Sequence, residues 1–494
     1  MLTGIILNSR KLREKRNKKK IRVVFSSAFG YNEMAKKLKA DKKMSKQTTD
    51  NYKRMTEEPV EKLVLLFSIP TIISMLVNNI YNMVDTAFVG TLGNSASGAV
   101  GIVFGFMAVL QAVGFMFGQG SGSILSRKLG QNDLKGASVV ASTGFFLSFI
   151  VATVVSILCF IFLDPLVMGL GSTKTIAPYA KEYIFYILLT APFNVSSFTL
   201  NNILRFEGKA FYGMIGMMAG AVLNILGDAV LMFGFDLGIK GAGISTAVSQ
   251  VISFVILISM FVRGKSNIKL SIKKVNVSPL VVGDIAATGL PSLLRQALNS
   301  VTTILLNVRA AVYGDEAVAA MSIVSRLYFF VFAIALGIGQ GFQPVSGFNY
   351  GAGKYKRLRK AYKTTAVFAE SIVLVLSVIV FIFAPDIVVK FRNDEKVVEI
   401  AVRALRLQLV AGIFMPACMA TEMLFQSTGK KVGAALLSLI RSGLLFIPTL
   451  ILLAKIRGLA GIQEAQPVAF ILSVIPTLIF AISYFKSLPK EDNV

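Results

Sequence analysis

Twelve stretches of about 20 or more apolar residues run through this chain, at roughly 63–90, 97–125, 138–163, 179–204, 211–235, 241–262, 279–312, 317–347, 362–384, 398–427, 432–454 and 459–485. The hydrocarbon core of a bilayer is about 30 Å thick, and a helix crosses it in about 20 residues. Backbone N–H and C=O groups find no water there, so a crossing segment must satisfy them internally, as a helix does. The runs predict an all-α polytopic membrane protein with twelve transmembrane helices.

Those twelve fall into two sixes. Residues 221 apart (Pro70 against Pro291) match without a gap over some 65 positions: Asn78 meets Asn299, Gly93 meets Gly314, Gly118-Gln119-Gly120 meets Gly339-Gln340-Gly341, Gly130 meets Gly351 and Lys135 meets Lys356. A unit with an even number of spans puts both copies in one direction, related by an axis along the membrane normal, which is a parallel repeat of the kind used by alternating-access carriers. The expected organisation is a basic tail (1–62), a first lobe (63–264), a linker (265–278), a second lobe (279–486) and a short tail (487–494). The linker, KSNIKLSIKKVNVS, is too short for a soluble domain.

A net charge of +26 in a soluble protein would point to nucleic acid. Here 54% of residues are hydrophobic and the mean hydropathy is +0.68, and the cations follow the sides of the membrane. Loops after even-numbered spans hold eighteen Lys and Arg, from Arg127 to Lys431; the opposite loops hold eight, from Lys174 to Arg457. Positive loops stay inside, so both termini are expected in the cytoplasm, with the bilayer and not nucleic acid as the large partner. The run before Met44 is basic and has no apolar period, and we read Met44 as the start of translation. Two cysteines, Cys159 and Cys418, sit inside apolar runs and there is no histidine, which leaves little material for zinc, disulfides or an enzyme's nucleophile and base.

Charged residues inside the runs mark function or internal pairing, because a carboxylate in hydrocarbon costs about 2.5–3.5 kcal/mol even on lenient scales. Asp85 lies in the first span, on a stripe with Ser74, Asn78 and Asn82 at helical spacing. In the fifth span Asn224 and Asp228 are four apart and share a face. Asp85 and Asp228 occupy compatible depths, and Thr246 enters the sixth span at a similar one. At the repeat shift Asp85 becomes Leu306, Asn224 becomes Leu445 and Asp228 becomes Thr449, so the acidic site belongs to the first half only. Glu370, Glu422, Arg295, Arg326 and Arg441 lie in the second half; we read them as internal ion pairs, with Glu422 as the alternative second-lobe site.

These residues carry a resemblance. IPTIISMLVNNIYNMVDTAFVG, the GQG followed by SRKLGQ, NNILRFEG, NILGD and GAGIST resemble the multidrug and toxic compound extrusion (MATE) family, and within it the DinF-like branch, over about 63–486. The resemblance implies two six-helix lobes around a central cavity and export of organic cations and lipophilic drugs, driven by inward flow of protons or sodium ions and without a cofactor. It carries a cation-coupling role onto Asp85, Asn224, Asp228 and Thr246, a helix bend onto Pro70, and a wider network onto Tyr183, Asn201 and Asn202. The sodium-linked NorM branch has acids in spans seven and eight, which are free of them here between Pro291 and Val312 and between Met321 and Tyr350. The expected protein is a monomeric, multi-pass antiporter of the cytoplasmic membrane. A flippase for a lipid-linked precursor is the alternative on the same duplicated fold; it would be expected to carry Arg or Lys in its cavity, and the first lobe's spans have essentially none.

Overall fold

A computed structural model describes residues 49–492. The basic tail and Met44 lie outside the described residues. Residues 1–54 and 55–494 are two separate units, and everything below concerns the second.

The described residues of that unit are helical. The first lobe contains α1 (Val60–Gly90), α2 (Asn94–Gly130), α3 (Leu134–Ile161), a short α4 (Leu163–Gly169), α5 (Ala177–Phe206), α6 (Ala210–Asp228) and α7 (Gly238–Val262). The second contains α8 (Pro279–Ala311), α9 (Asp315–Gly351), α10 (Tyr355–Ile382), a short α11 (Ala384–Phe391), α12 (Glu395–Gly412), α13 (Met415–Ser427), α14 (Lys431–Leu439), α15 (Phe446–Arg457) and α16 (Leu459–Ser487). Ten helical segments among the described residues are long and apolar enough to cross a bilayer alone. The seventh crossing, α8, is too polar for that test because Asp284, Arg295 and Arg309 lie in it, and the tenth is broken between Gly412 and Met415 into α12 and α13. Twelve crossings result among the described residues. Most helices outrun the apolar runs: α10 starts seven residues before position 362, because the cationic turn YKRLRKA continues the helix beyond the hydrocarbon.

Two crossings contain a π-helical turn, Ala229–Gly234 directly after Asp228 and Ile440–Leu445, which holds Arg441. A π turn inserts an extra residue and re-aims the side chains beside it, and such turns gather at functional sites. In both lobes it falls at a charged residue that the apolar pattern does not explain. The turns before α2 and α9 repeat each other: Gly93 and Gly314 have φ of 108° and 101°, a region that side chains with a Cβ rarely adopt.

The lobes meet along α1, α2, α8 and α9. Glycines allow backbone-to-backbone approach there, and the contacts obey the repeat. A Cβ on Gly130 would overlap the carbonyl oxygen of Phe348, and a Cβ on Gly351 would overlap that of Arg127, the repeat mate of Phe348. Gly120 presses on the Ile285 carbonyl in α8, and Gly341 presses on Ser68 in α1. Close packing is therefore what Gly-Gln-Gly provides. These contacts lie toward the ends of α2 and α9 that lead into the cation-rich loops. At the other end of α2, Gly101 and Gly105 face open space. Bonds across the seam concentrate at the same closed end: Arg357 donates to the Glu58 carbonyl (2.6 Å), Asn349 to the Met55 carbonyl (3.2 Å), and Lys360 pairs with Glu61 (2.9 Å).

Substituting Gly351 by alanine puts a methyl group against backbone that has no room to yield, so the lobes should part at this end. In a Cys159→Ser, Cys418→Ser background, Ser126→Cys is buried against Gly347 of the opposite lobe. Adding Gly351→Ala should raise its rate of labelling by a maleimide severalfold in purified protein; an unchanged rate would show that the seam tolerates the methyl group.

The linker is ordered. Glu207, in the turn after α5, accepts from Ser266 Oγ (2.6 Å) and the Asn267 amide (2.5 Å), and pairs with Lys209 (3.0 Å). Farther along, the Ser271 and Asn276 amides donate to Ser142 and Thr143 on α3. The linker thus lies along the first lobe.

Candidate cation site in the first lobe

Four crossings of the first lobe converge on Asp85. Tyr183 on α5 donates its hydroxyl to Asp85 Oδ2 (3.2 Å), and on its other side meets the Thr246 side chain on α7. On α6, the Asn224 amide nitrogen donates to Thr246 Oγ1 (3.0 Å) and lies 3.4 Å from Asp228 Oδ1. Ser245 donates to the Asn224 carbonyl (2.9 Å) and stands beside the Asp228 carboxyl. The carboxyl groups of Asp85 and Asp228 stand within hydrogen-bonding reach of each other. Asp85 is 7% exposed, Asn224 2% and Asp228 fully buried, so the cluster sits inside protein and not against lipid.

The local sequence explains the convergence. On α1, Tyr81 and Asp85 are one turn apart and lie on one face; Ser74 and Asn82 fold back onto their own helix, bonding the carbonyls of Pro70 (2.8 Å) and Asn78 (2.8 Å). Asp85 alone of the stripe is buried and reaches across to other helices. In α6, small residues at Gly220, Ala221 and Gly227 let α7 approach, with Ser245 and Ser253 packed where a Cβ would stand. α1 runs unbroken through Pro70, which is buried close to the contact of Ser68 and Ile72 with α9.

What the cluster lacks is donors. Asp85 Oδ1, Asp228 Oδ2 and Asn224 Oδ1 are all buried with no hydrogen-bond partner. Buried polar atoms are nearly always satisfied, so three unsatisfied acceptors side by side mark a place for a positive species. Oxygen ligands of this kind suit a proton shared between carboxylates or a small hard cation. Among the described residues no three His, Cys, Asp or Glu side chains come together as a multivalent metal site would need.

Of the wider network, Tyr183 joins the site and Asn201 and Asn202 do not. Asn202 bonds the Phe198 carbonyl (2.7 Å) and accepts from Arg205 (2.5 Å), while Asn201 packs against Gly213. At 1.5 Å per residue, Asn202 lies about 28 Å along α5 from Tyr183. Ser245 joins the site through its bond to the Asn224 carbonyl, and Tyr81 lies at its edge, on the face of α1 that carries Asp85. Tyr81 carries a signal, one turn before Asp85, but a tyrosine in an apolar run usually does no more than pack.

The second lobe lacks the equivalent site. Leu306 is buried in its apolar core, and Leu445 packs half-buried against that core. Its charges form a separate cluster: Glu422 Oε1 accepts from Arg295 Nη1 (2.5 Å) and Ser438 Oγ (2.6 Å), and Glu422 Oε2 lies 3.1 Å from Arg441 Nη2. Glu370 is half-buried, with Oε2 lacking a partner, and Arg326 is exposed.

Comparison with known proteins agrees with this architecture. The MatE family model matches residues 70–230 and again residues 291–452, two stretches whose starts are 221 residues apart (70 against 291). The multidrug export protein MepA of Staphylococcus saprophyticus is 30% identical over 404 residues, covering 82% of this chain and 89% of that protein. Among solved structures, an outward-facing multidrug resistance MATE family transporter of the MOP superfamily superposes with TM-score 0.84 at 25% identity, covering 89% of this chain and 98% of that one. A MOP superfamily transporter from Pyrococcus furiosus gives TM-score 0.84 at 26% identity, covering 89% and 98%. With its duplicated helical fold and both halves matched by the family model, the chain belongs to the MatE family of multi-pass membrane transporters.

Proposed function

We infer that this protein exports lipophilic and cationic small molecules across the cytoplasmic membrane in exchange for an inward-moving proton or sodium ion, acting as a monomer with both termini in the cytoplasm. The observation that carries this reading is the pair Asp85 and Asp228, with their unsatisfied oxygens and that of Asn224. Two carboxylates in contact, away from water, cannot both stay charged without a positive species between them. An arriving ion therefore changes the charge of α1 and α6 at one point, and α1 passes from that point through Pro70 to the seam with α9. The ion acts on transport only through its differential affinity for the two lobe arrangements. Ion and exported molecule are then linked reciprocally. The names of matched relatives as multidrug exporters support the substrate class. Closure at the cation-rich end fits an arrangement open to the outside.

Purified protein in liposomes, given a proton gradient and a sodium gradient separately, should accumulate a cationic dye under one of them. Dye uptake that ignores both gradients would overturn the reading.

A further inference from the structure

The second lobe carries a groove of about 610 Å³ between the end of α13, the start of α14 and the last turns of α16, far from the Asp85 site. Its two ends differ in chemistry. Along α16 the lining passes from Ser487, Ser483 and Tyr484 to Phe480 and Ile479, about 12 Å farther along the helix, and Phe425 of α13 joins the apolar end. Ile479 is 61% exposed, so this end opens toward the bilayer.

The polar end suits an anion. Lys430 and Lys431 both line it, and no Asp or Glu does. Lys431 pairs with Asp284 of α8, whereas Lys430 is exposed and has no acidic partner among the described residues. The first turn of α14, Lys431 to Gly433, has no side chain capping its amides. Such amides, with the helix dipole behind them, attract negative groups. Tyr484 is an independent mark: it is 4% exposed, it lines the groove, and its hydroxyl is buried without a hydrogen-bond partner. Buried hydroxyls are nearly always bonded, so this one marks a place for a ligand oxygen. Its ring is held by Phe425 and Phe485, with centroids 5.0 and 5.5 Å away. Gly429, in the same mouth, is pressed by the Arg127 guanidinium of the first lobe, which adds a cation beside the closed seam.

We propose that this groove seats one acidic phospholipid, with its phosphate on Lys430, the first-turn amides of α14 and the Tyr484 hydroxyl, and an acyl chain along Phe425, Phe480 and Ile479. An amphiphile fits because one groove holds both a cationic end and an apolar end open to the bilayer. A soluble phosphate would use the first and leave the second bare. Basic pockets between crossings recognise acidic headgroups in this way. The orientation proposed above puts the groove in the cytoplasmic leaflet; lipid binding itself depends neither on that orientation nor on the export reading.

Native mass spectrometry of the purified full-length protein tests this by counting bound phosphatidylglycerol and phosphatidylcholine. Wild type should retain one phosphatidylglycerol saturably and hold it more tightly than phosphatidylcholine. Lys430→Gln should weaken phosphatidylglycerol binding about fivefold, the effect of one lysine at a membrane surface, and Lys430→Arg should keep it. Lys486→Gln, at an exposed lysine outside the groove, should leave it unchanged. Ser483→Phe, which narrows the groove without touching a charge, should also release the lipid. Lys430 and Ser483 are both exposed, so neither substitution should unfold the protein. Equal retention of the two lipids, unchanged binding in Lys430→Gln, or an equal loss in Lys486→Gln would overturn the site. Full retention in Ser483→Phe would overturn the seated chain. Displacement of the lipid by sn-glycerol 3-phosphate at comparable concentration would overturn the lipid in favour of a small phosphate.

Discussion

Asp85→Asn and Asp228→Asn should each abolish ion-driven efflux, and the double variant should be scarcely worse than either. The carboxyl groups face each other inside the first lobe, and the oxygens left without donors belong to both. Removing one acid leaves a lone carboxylate that no longer shares a proton or cation, so the switch in charge that biases the lobes is lost as a whole. The expected loss is the full coupling factor, which for linkages of this kind is about 5–150-fold. Residues that act as one unit give non-additive effects, and the double-mutant cycle reads this directly. Tyr183→Phe should be milder, since it removes one donor to Asp85 Oδ2 and leaves both acids. Efflux and dye binding are measured side by side; binding should survive in the single variants, because the acids are assigned to coupling. Two modest losses that add, or full efflux in either single variant, would place coupling elsewhere, with Glu370 the next carboxylate to examine.

The crossings were legible because a bilayer admits few backbone solutions and because the 221-residue shift counts the spans twice. Helix ends were not, since the apolar run stops where the hydrocarbon stops while hydrogen bonding continues, as in the first turns of α10. The acids of the site stood out because Asp85 and Asp228 are costly where they are and their repeat mates are Leu306 and Thr449. Asn201 and Asn202 were associated with the site through resemblance, although helical rise alone separates Asn202 from Tyr183 by about 28 Å. The π turns at Asp228 and Arg441 have no signature in the sequence. Arg205 was the most misleading: it ends a helix next to a charged loop, as a loop cation would, yet Gln340 and Asn202 draw it into the interior. Charge counting along a chain cannot see a side chain that turns inward, and the expectation that the first lobe holds essentially no cation in its spans missed it for that reason.

Glu422→Gln should damage the protein's stability more than its transport per folded molecule. Glu422 is 1% exposed and stands between Arg295 and Arg441, which are 4% and 5% exposed, so it is the one negative charge holding two cations in the core of the second lobe. The loss falls on α8, α13 and the π turn of the eleventh crossing together, because each contributes one member of the group. Removing one partner of a buried ion pair costs about 3–5 kcal/mol, because the remaining charge is stranded in low dielectric. Here two would be stranded, and Ser438 would lose its acceptor as well. The melting temperature of purified Glu422→Gln should fall by several degrees and its yield with it. Replacing all three charges by apolar residues of similar volume, Arg295→Met with Glu422→Leu and Arg441→Met, should recover much of that stability, since an apolar group is often no worse than a buried ion pair. Failure of the triple variant to recover would mean that the guanidiniums make other bonds the lobe needs, such as that from Arg295 Nη2 to Ser292 (3.4 Å). Normal stability of Glu422→Gln with transport abolished would instead make Glu422 a working part of the transport cycle.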